Sequence, residues 1–223
     1  MLPPPLRQLT PSDLESVSAS TIQHYEQAAE AFWQGTKDHD VRQNVDALLR
    51  HISAAPPFSI LDLGCGPGRD LSTFRSLGHQ PVGLDGARAF VALARAHTGC
   101  EVWHQDLLRL ELPRRRFHGV FANAVLFHVP SQELPRVLTE LGSTLLEGGV
   151  LFASNPRGPD LERWQGARYG SFMSWQRWRD TLTACGFDEL EHYFRPEGRA
   201  LDEQPWLASV WRKRSSAALE GPL

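Results

Sequence analysis

After a polar, proline-containing opening at residues 1–12, the chain settles from Asp13 to Phe32 into a helix-compatible stretch that ends in an aromatic pair, Phe32-Trp33. Gly35-Thr-Lys-Asp-His-Asp40 breaks it with turn formers and charges. Val45, Leu48, Leu49 and Ile52 then recur at helical spacing, which predicts a helix over Val41 to Ile52, closed by Pro56-Pro57. From Phe58 onward the pattern changes, and short apolar runs alternate with segments of helical spacing. Strands are predicted at 59–63, 80–84, 101–105, 118–123 and 150–154, with helices at 70–77, 88–97 and 132–146. Gly148-Gly149 marks the turn into the 150–154 run. A last helix, Trp175 to Cys185, ends at Gly186, and two more strands follow near 187–194 and 207–212. This βαβα order predicts one α/β domain, a mainly parallel sheet covered by helices on both faces.

The most informative stretch is Ser59-Ile-Leu-Asp-Leu-Gly-Cys-Gly-Pro-Gly-Arg-Asp70. Ile60, Leu61 and Leu63 suit a strand buried on both faces, and the alternating glycines let the following backbone turn tightly and approach a ligand. A second acid, Asp85, ends the next apolar segment at the distance a βαβ unit requires. Together they read as a nucleotide-type cofactor loop. A dinucleotide site wants Gly-x-Gly-x-x-Gly, whereas here the sixth position is Arg69 and the glycine falls one place early at Gly68. An NAD(P)-dependent oxidoreductase stays open as an alternative, as does a non-catalytic cofactor-binding regulator.

Composition narrows the setting. The 223 residues are 41% hydrophobic and 22% charged, with a formal net charge of -3, so no phosphate-backbone partner is expected. The basic run Arg114-Arg-Arg116 suits a solvated turn. Cys65, Cys100 and Cys185 lack paired spacing, which points to a reducing compartment, and the adjacent Asp38, His39 and Asp40 cannot all point at one ion, so no metal is expected. No apolar run approaches a membrane span, and Met1-Leu-Pro-Pro-Pro lacks signal-peptide order; a cytoplasmic location is the expectation.

Taken in order, the segments resemble the class I S-adenosylmethionine-dependent methyltransferases over roughly residues 58 to 212. Leu61-Asp-Leu-Gly-Cys-Gly-Pro-Gly68 resembles the family's first motif, Gly83-Leu-Asp85 its second acid, and Gln105-Asp106 its adenine-contacting acid. Phe117-His-Gly-Val-Phe-Ala-Asn123 resembles the fourth strand, with His118 where an Asp is usual, and Leu145-Leu-Glu-Gly-Gly-Val-Leu151 the turn into the fifth. The resemblance implies a Rossmann-like, mainly parallel seven-stranded sheet: an N-terminal helical lid over 1–57, a cofactor-binding core over 58–214 and a flexible tail over 215–223. It implies S-adenosylmethionine as cofactor, with Asp62 toward the ammonium group, Asp85 on the ribose hydroxyls, Asp106 on the adenine amino group and the Leu107 N–H on the ring. Gly64, Cys65, Gly66, Arg69, Gly86 and Asn123 would complete that wall. For Asp62 a strand-end cap, and for Asp106 a helix N-cap, are the plain structural alternatives. His24-Tyr-Glu-Gln-Ala-Ala-Glu-Ala-Phe-Trp33 is similar to the family's tyrosine-containing helix, which would place Tyr25 and Trp33 in the lid.

The implied reaction is methyl transfer to O, N or S of a small-molecule acceptor by in-line displacement. A hydroxyl or protonated nitrogen acceptor benefits from a general base, and His39 and His128 are the candidates. His128 follows the fourth strand, at the carboxyl edge where ligands gather in open α/β sheets. Asn155 to Phe172 reads as an acceptor wall in which Arg157, Arg168 and Tyr169 bind a carboxylate or phosphate. The Asn/Asp-Pro-Pro-aromatic motif of nucleic-acid base methyltransferases is replaced by Asn123-Ala-Val-Leu126.

Overall fold

Thr10 opens the first helix: its hydroxyl accepts from the Asp13 N–H while the Asp13 carboxylate accepts from the Thr10 N–H, and Pro11 occupies the first turn. In the computed structural model, which describes residues 1–215, this helix is α1 (Pro11–Gln27). It ends where Ala28 leaves helical geometry, and α2 (Ala29–Thr36) continues in a new direction before α3 (Arg42–Leu49). The expected tail falls, apart from Ser215, outside the described residues.

The alternating region follows as β1 (Ser59–Leu63), α4 (Arg69–Ser76), β2 (Gln80–Asp85), α5 (Arg88–Thr98), β3 (Val102–His104), β4 (Phe117–Asn123), α6 (Leu134–Thr144) and β5 (Leu145–Pro156). After a hairpin of β6 (Leu161–Gln165) and β7 (Arg168–Phe172) come α7 (Trp175–Ala184), β8 (Phe187–Arg195) and β9 (Trp206–Lys213). The main sheet has seven strands in the order β3-β2-β1-β4-β5-β9-β8. The first five are parallel; β9 runs antiparallel between β5 and β8. The expected α/β class, seven-stranded and mainly parallel, is what the structure shows. Within β5 the register jumps from Phe117↔Leu145 to Gly119↔Val150, with Gly148 at φ +69, so the glycine pair turns the chain into the paired strand as expected.

Alternation along the strands distributes the core. Leu61 and Leu63 pack with Val120, Ala122 and Leu151 beneath α6 and α7, while Ile60, Phe121 and Phe152 pack with Val45 and Leu48 of α3 and Phe74 of α4. Phe121 stacks on Phe152 at 4.9 Å and meets Phe74 edge-on at 5.2 Å, pairings worth about 0.5–1.5 kcal/mol each beyond their buried area. Asp62 shares the Ile60 side of β1, so strand periodicity alone carries a carboxyl into this apolar face.

Most of the segment expected to form the acceptor wall is a hairpin. Gly166-Ala167 is a two-residue turn with Gly166 at φ +62, and it pairs Trp164 with Tyr169 across the strands. Tyr169 sits with Leu9 and Val17, so β7 supports α1 and α1 spans the carboxyl edge of the main sheet.

Candidate active site

At the carboxyl end of β1 the chain turns at Gly64, whose N–H donates to the Leu84 carbonyl at 2.7 Å. Asp85 then organises the loop: one carboxylate oxygen accepts from the Gly66 N–H at 3.0 Å, the other from the Ala87 N–H at 2.9 Å. Burial raises the Asp85 carboxyl to about 6, against the lowering effect of these backbone donors. Beneath the loop Asp62 is 2% exposed, and its Oδ2 has no hydrogen-bond partner. Burial, reinforced by the neighbouring Asp70 carboxylate, pushes Asp62 well above the usual range. The same burial raises the Cys65 thiol, so this cysteine is a poor nucleophile.

Asp106 forms the N-cap that is its plain structural alternative, accepting from the Leu108 N–H at 2.9 Å as a single helical turn begins at Leu107. Its other oxygen accepts from the Ser18 hydroxyl of α1 at 2.6 Å. Residues of α1 and α2 pack over the loop further along. Ile22 lies 3.0 Å from where a Cβ on Gly86 would stand, and Trp33 stacks on His97 at 4.5 Å. Arg69 is committed to a bidentate pair with Asp70 at 2.8 and 2.9 Å, and its third nitrogen donates to the Thr36 carbonyl at the end of α2. Asn123, closing β4, accepts from Asn44 at 3.0 Å and donates to Asp70 at 3.4 Å.

His128 is fixed from two sides. Its Nδ1 lies 2.7 Å from the Tyr169 carbonyl oxygen, which can only accept, so Nδ1 carries the proton. Nε2 therefore accepts from the Tyr25 hydroxyl at 2.9 Å. Burial lowers His128 to about 4, with Arg168 adding to the effect, and it is neutral across the physiological range. An NMR titration of the ring is expected to show the Nδ1–H tautomer persisting unchanged down to pH 5; protonation near 6.5 would refute the assignment.

These elements line an open-mouthed cavity of about 680 Å³. It is lined by Tyr25, Trp33, His39, Gly64, Cys65, Gly66, Arg69, Asp85, Gly86, Asp106, Leu107, Asn123, His128 and Arg168, all singled out in the sequence. Asp62 lies buried below. Arg157 and Tyr169 do not line it, which corrects their expected place in the acceptor wall. Arg157 donates to the Leu201 carbonyl and lies over the Phe194 ring; the buried Tyr169 ring donates its hydroxyl to Glu162 at 2.9 Å. In their place the cavity takes Arg195, Trp206, Asn44 and Ser18, which sequence reasoning missed. No periodicity or spacing in the chain links those positions to the loop at 64–68.

Residues 60–149 match a family model described as a methyltransferase domain. A ubiquinone biosynthesis O-methyltransferase of Rhodopseudomonas palustris is 27% identical over 73% of this chain and 68% of its own. Over its central segment the chain is similar to methyltransferases. A trans-aconitate 2-methyltransferase of Azoarcus sp. is 32% identical over 51% of this chain, a match that spans 45% of that relative's length. Among solved structures, a 1,6-didemethyltoxoflavin-N1-methyltransferase of Burkholderia thailandensis, with 1,6-didemethyltoxoflavin and S-adenosylhomocysteine bound, superposes with a TM-score of 0.77. It covers 95% of this chain and 94% of its own at 19% identity, a likeness of fold. The sheet agrees with that likeness: the reversed β9 between β5 and β8 departs from the 3-2-1-4-5-6 order of dinucleotide folds. No helix among the described residues is long and apolar enough to cross a membrane.

Proposed function

We propose that this chain transfers a methyl group from S-adenosylmethionine to an oxygen, nitrogen or sulfur of a small molecule enclosed with it in the cavity. The observation that carries the reading is the orphaned Oδ2 of Asp62 beneath a glycine loop whose other acid, Asp85, is held ready by backbone donors. A buried acceptor without a donor is costly, and an ammonium group reaching it directly or through water would remove that cost. Two ribose hydroxyls suit the remaining lone pairs of Asp85, and Asp106 with the Leu107 N–H suits an adenine edge. The donor set therefore fits the cofactor. When bound, S-adenosylmethionine supplies an electrophilic methyl group on a cationic sulfonium.

The chain's own part is to position and enclose. Phe32 meets Tyr25 edge-on at 5.7 Å and both rings lie tilted against Phe90 at 5.1–5.7 Å, so α1 and α2 exclude water from one side of the cavity. His128, neutral and already accepting from Tyr25, holds that ring in place. The general base for a hydroxyl or protonated nitrogen falls to His39, which lines the cavity from the α2–α3 connection. A net charge of -3 favours a small molecule over nucleic acid as acceptor.

Calorimetry with S-adenosylmethionine and S-adenosylhomocysteine tests the cofactor, followed by a metabolite-library screen for transfer of labelled methyl. Binding of both is expected, and failure of a folded sample to bind either would defeat the proposal, while NADH binding would restore the oxidoreductase. His39→Ala is expected to lower turnover by about 10²-fold or more and to leave S-adenosylhomocysteine affinity within about twofold; normal turnover removes the base role.

A further inference from the structure

The carboxylates lining the cavity are all engaged. Asp40 pairs with Arg42, Asp70 with Arg69, Asp85 with the Gly66 and Ala87 N–H groups, and Asp106 with Ser18 and the Leu108 N–H. Two arginines of the same lining have no carboxylate partner among the described residues. Arg168, at the start of β7, stands with its guanidinium carbon 5.9 Å from the Tyr25 ring centre, and its Nη1 is 3.4 Å from the Tyr25 hydroxyl, a long contact. Its Nε is buried and unpaired. Glu162 of the neighbouring strand offers it nothing, since that carboxylate accepts from Tyr169, Ser171 and the Ser131 N–H. Arg195, at the end of β8, hydrogen-bonds only to neutral acceptors, the Asn44 side chain at 3.0 Å and the Asp40 carbonyl at 3.4 Å, while the Asp40 carboxylate nearby is already paired with Arg42.

A partly buried guanidinium without a counter-charge is costly, and a ligand that supplies the charge recovers that cost as affinity. The surroundings select which anion. Two parallel guanidinium donors match the two oxygens of a carboxylate. A phosphate's further oxygen would face Tyr25 and His128; the Tyr25 proton is given to His128, whose Nε2 has none to offer. Phe127, Val125 and Trp206 supply apolar wall for the body of the molecule.

We propose that the methyl acceptor is a carboxylate-bearing small molecule whose carboxylate is held by Arg168, with Arg195 as a second cationic contact. The inference rests on the methyltransferase reading above, and its test separates the two. S-adenosylhomocysteine affinity is measured first; its absence counts against that reading alone, because the next titration can be made on unloaded as well as loaded protein. Benzoate, benzamide and phenyl phosphate are then titrated while the Arg168 Nε–H signal is followed by NMR, assigned by its loss in Arg168→Gln.

Benzoate is expected to shift that signal saturably, and benzamide to bind at least about tenfold more weakly. Arg168→Gln should lose benzoate affinity by about tenfold or more while S-adenosylhomocysteine affinity stays within about twofold. Should that variant fail to fold, Arg168→Lys keeps the charge without the planar fork, and a several-fold loss is expected. Equal binding of benzamide, preference for phenyl phosphate over benzoate, or unchanged benzoate affinity in a folded variant overturns the proposal.

Discussion

Asp85→Asn is expected to weaken S-adenosylmethionine binding by about 10–100-fold and to remove most of its pH dependence below neutrality. In the native protein both Asp85 oxygens already accept a backbone N–H, and ribose hydroxyls would use the remaining lone pairs of an ionised carboxylate. The amide nitrogen of Asn replaces one of those acceptors by a donor that faces a backbone N–H, so the loop as well as the ligand contact is disturbed. Because the free carboxyl titrates near 6, affinity should hold above about pH 7 and fall by up to about tenfold per unit as pH drops below 6. Calorimetry between about pH 5 and 8 on both proteins provides the measurement. An unchanged dissociation constant in the variant, or the same slope in both, would reject Asp85 as the ribose acid.

The same shift has a consequence for folding, with the opposite sign. Burial lifts the folded-state carboxyl to about 6, above its unfolded value, so the native protein holds this proton more tightly than the unfolded chain does. Stability from Asp85 is therefore fully present below about pH 4 and is lost as pH rises through about 6. At neutral pH the site is organised for a ligand at the expense of the empty fold. Loop geometry, set by Gly66 and Ala87, keeps the charged acid facing the cavity.

The parts of this site that could be read from the chain are those in which one residue's neighbours along the backbone determine its place. Leu61 and Leu63 mark a strand buried on both faces, the glycines end it, and Asp85 ends the next strand; a parallel sheet brings such ends to one edge. Asp62 and Asp85 follow from that logic, whereas the resemblance alone places Asp106. What escaped depends on contacts between distant segments. Tyr25 and His128 are 103 positions apart and meet only because β7 props α1 over the end of β4. The hairpin itself carried a signal, two short runs about Gly166-Ala167, but its charged and aromatic residues obscured the alternation. Arg195 reaches the cavity because β8 lies outside β9 at the sheet edge, and no local pattern announces which end of an edge strand faces a ligand. Arg157 misled for the converse reason: it closely follows the β5 pairing, yet its guanidinium turns to the Leu201 carbonyl.

Gly64→Ala tests how closely the loop is seated on the body of the fold. A Cβ on Gly64 would stand 2.3 Å from Val125 Cγ2 and 2.7 Å from Val125 Cβ, and the residue holds φ +67. Two costs add: about 1–2 kcal/mol for a side chain in the left-handed region, and about 1–3 kcal/mol for forcing Val125, itself buried, to move. Thermal unfolding of Gly64→Ala is therefore expected about 4–20 °C below the native protein. Gly66→Ala separates the terms, since its φ of +52 brings the backbone cost while the nearest atom to its Cβ, on Phe32, is 3.7 Å away. That variant should lose only about 1–2 kcal/mol. In a Val125→Gly background the Gly64→Ala cost should shrink toward the Gly66 value, because both the Cβ and the methyl group it would strike are gone. An undiminished cost there would place the whole penalty in the backbone and deny the contact between the loop and Val125. Should the double variant recover stability yet still bind S-adenosylhomocysteine weakly, the close approach of Gly64 serves the ligand as well as the fold.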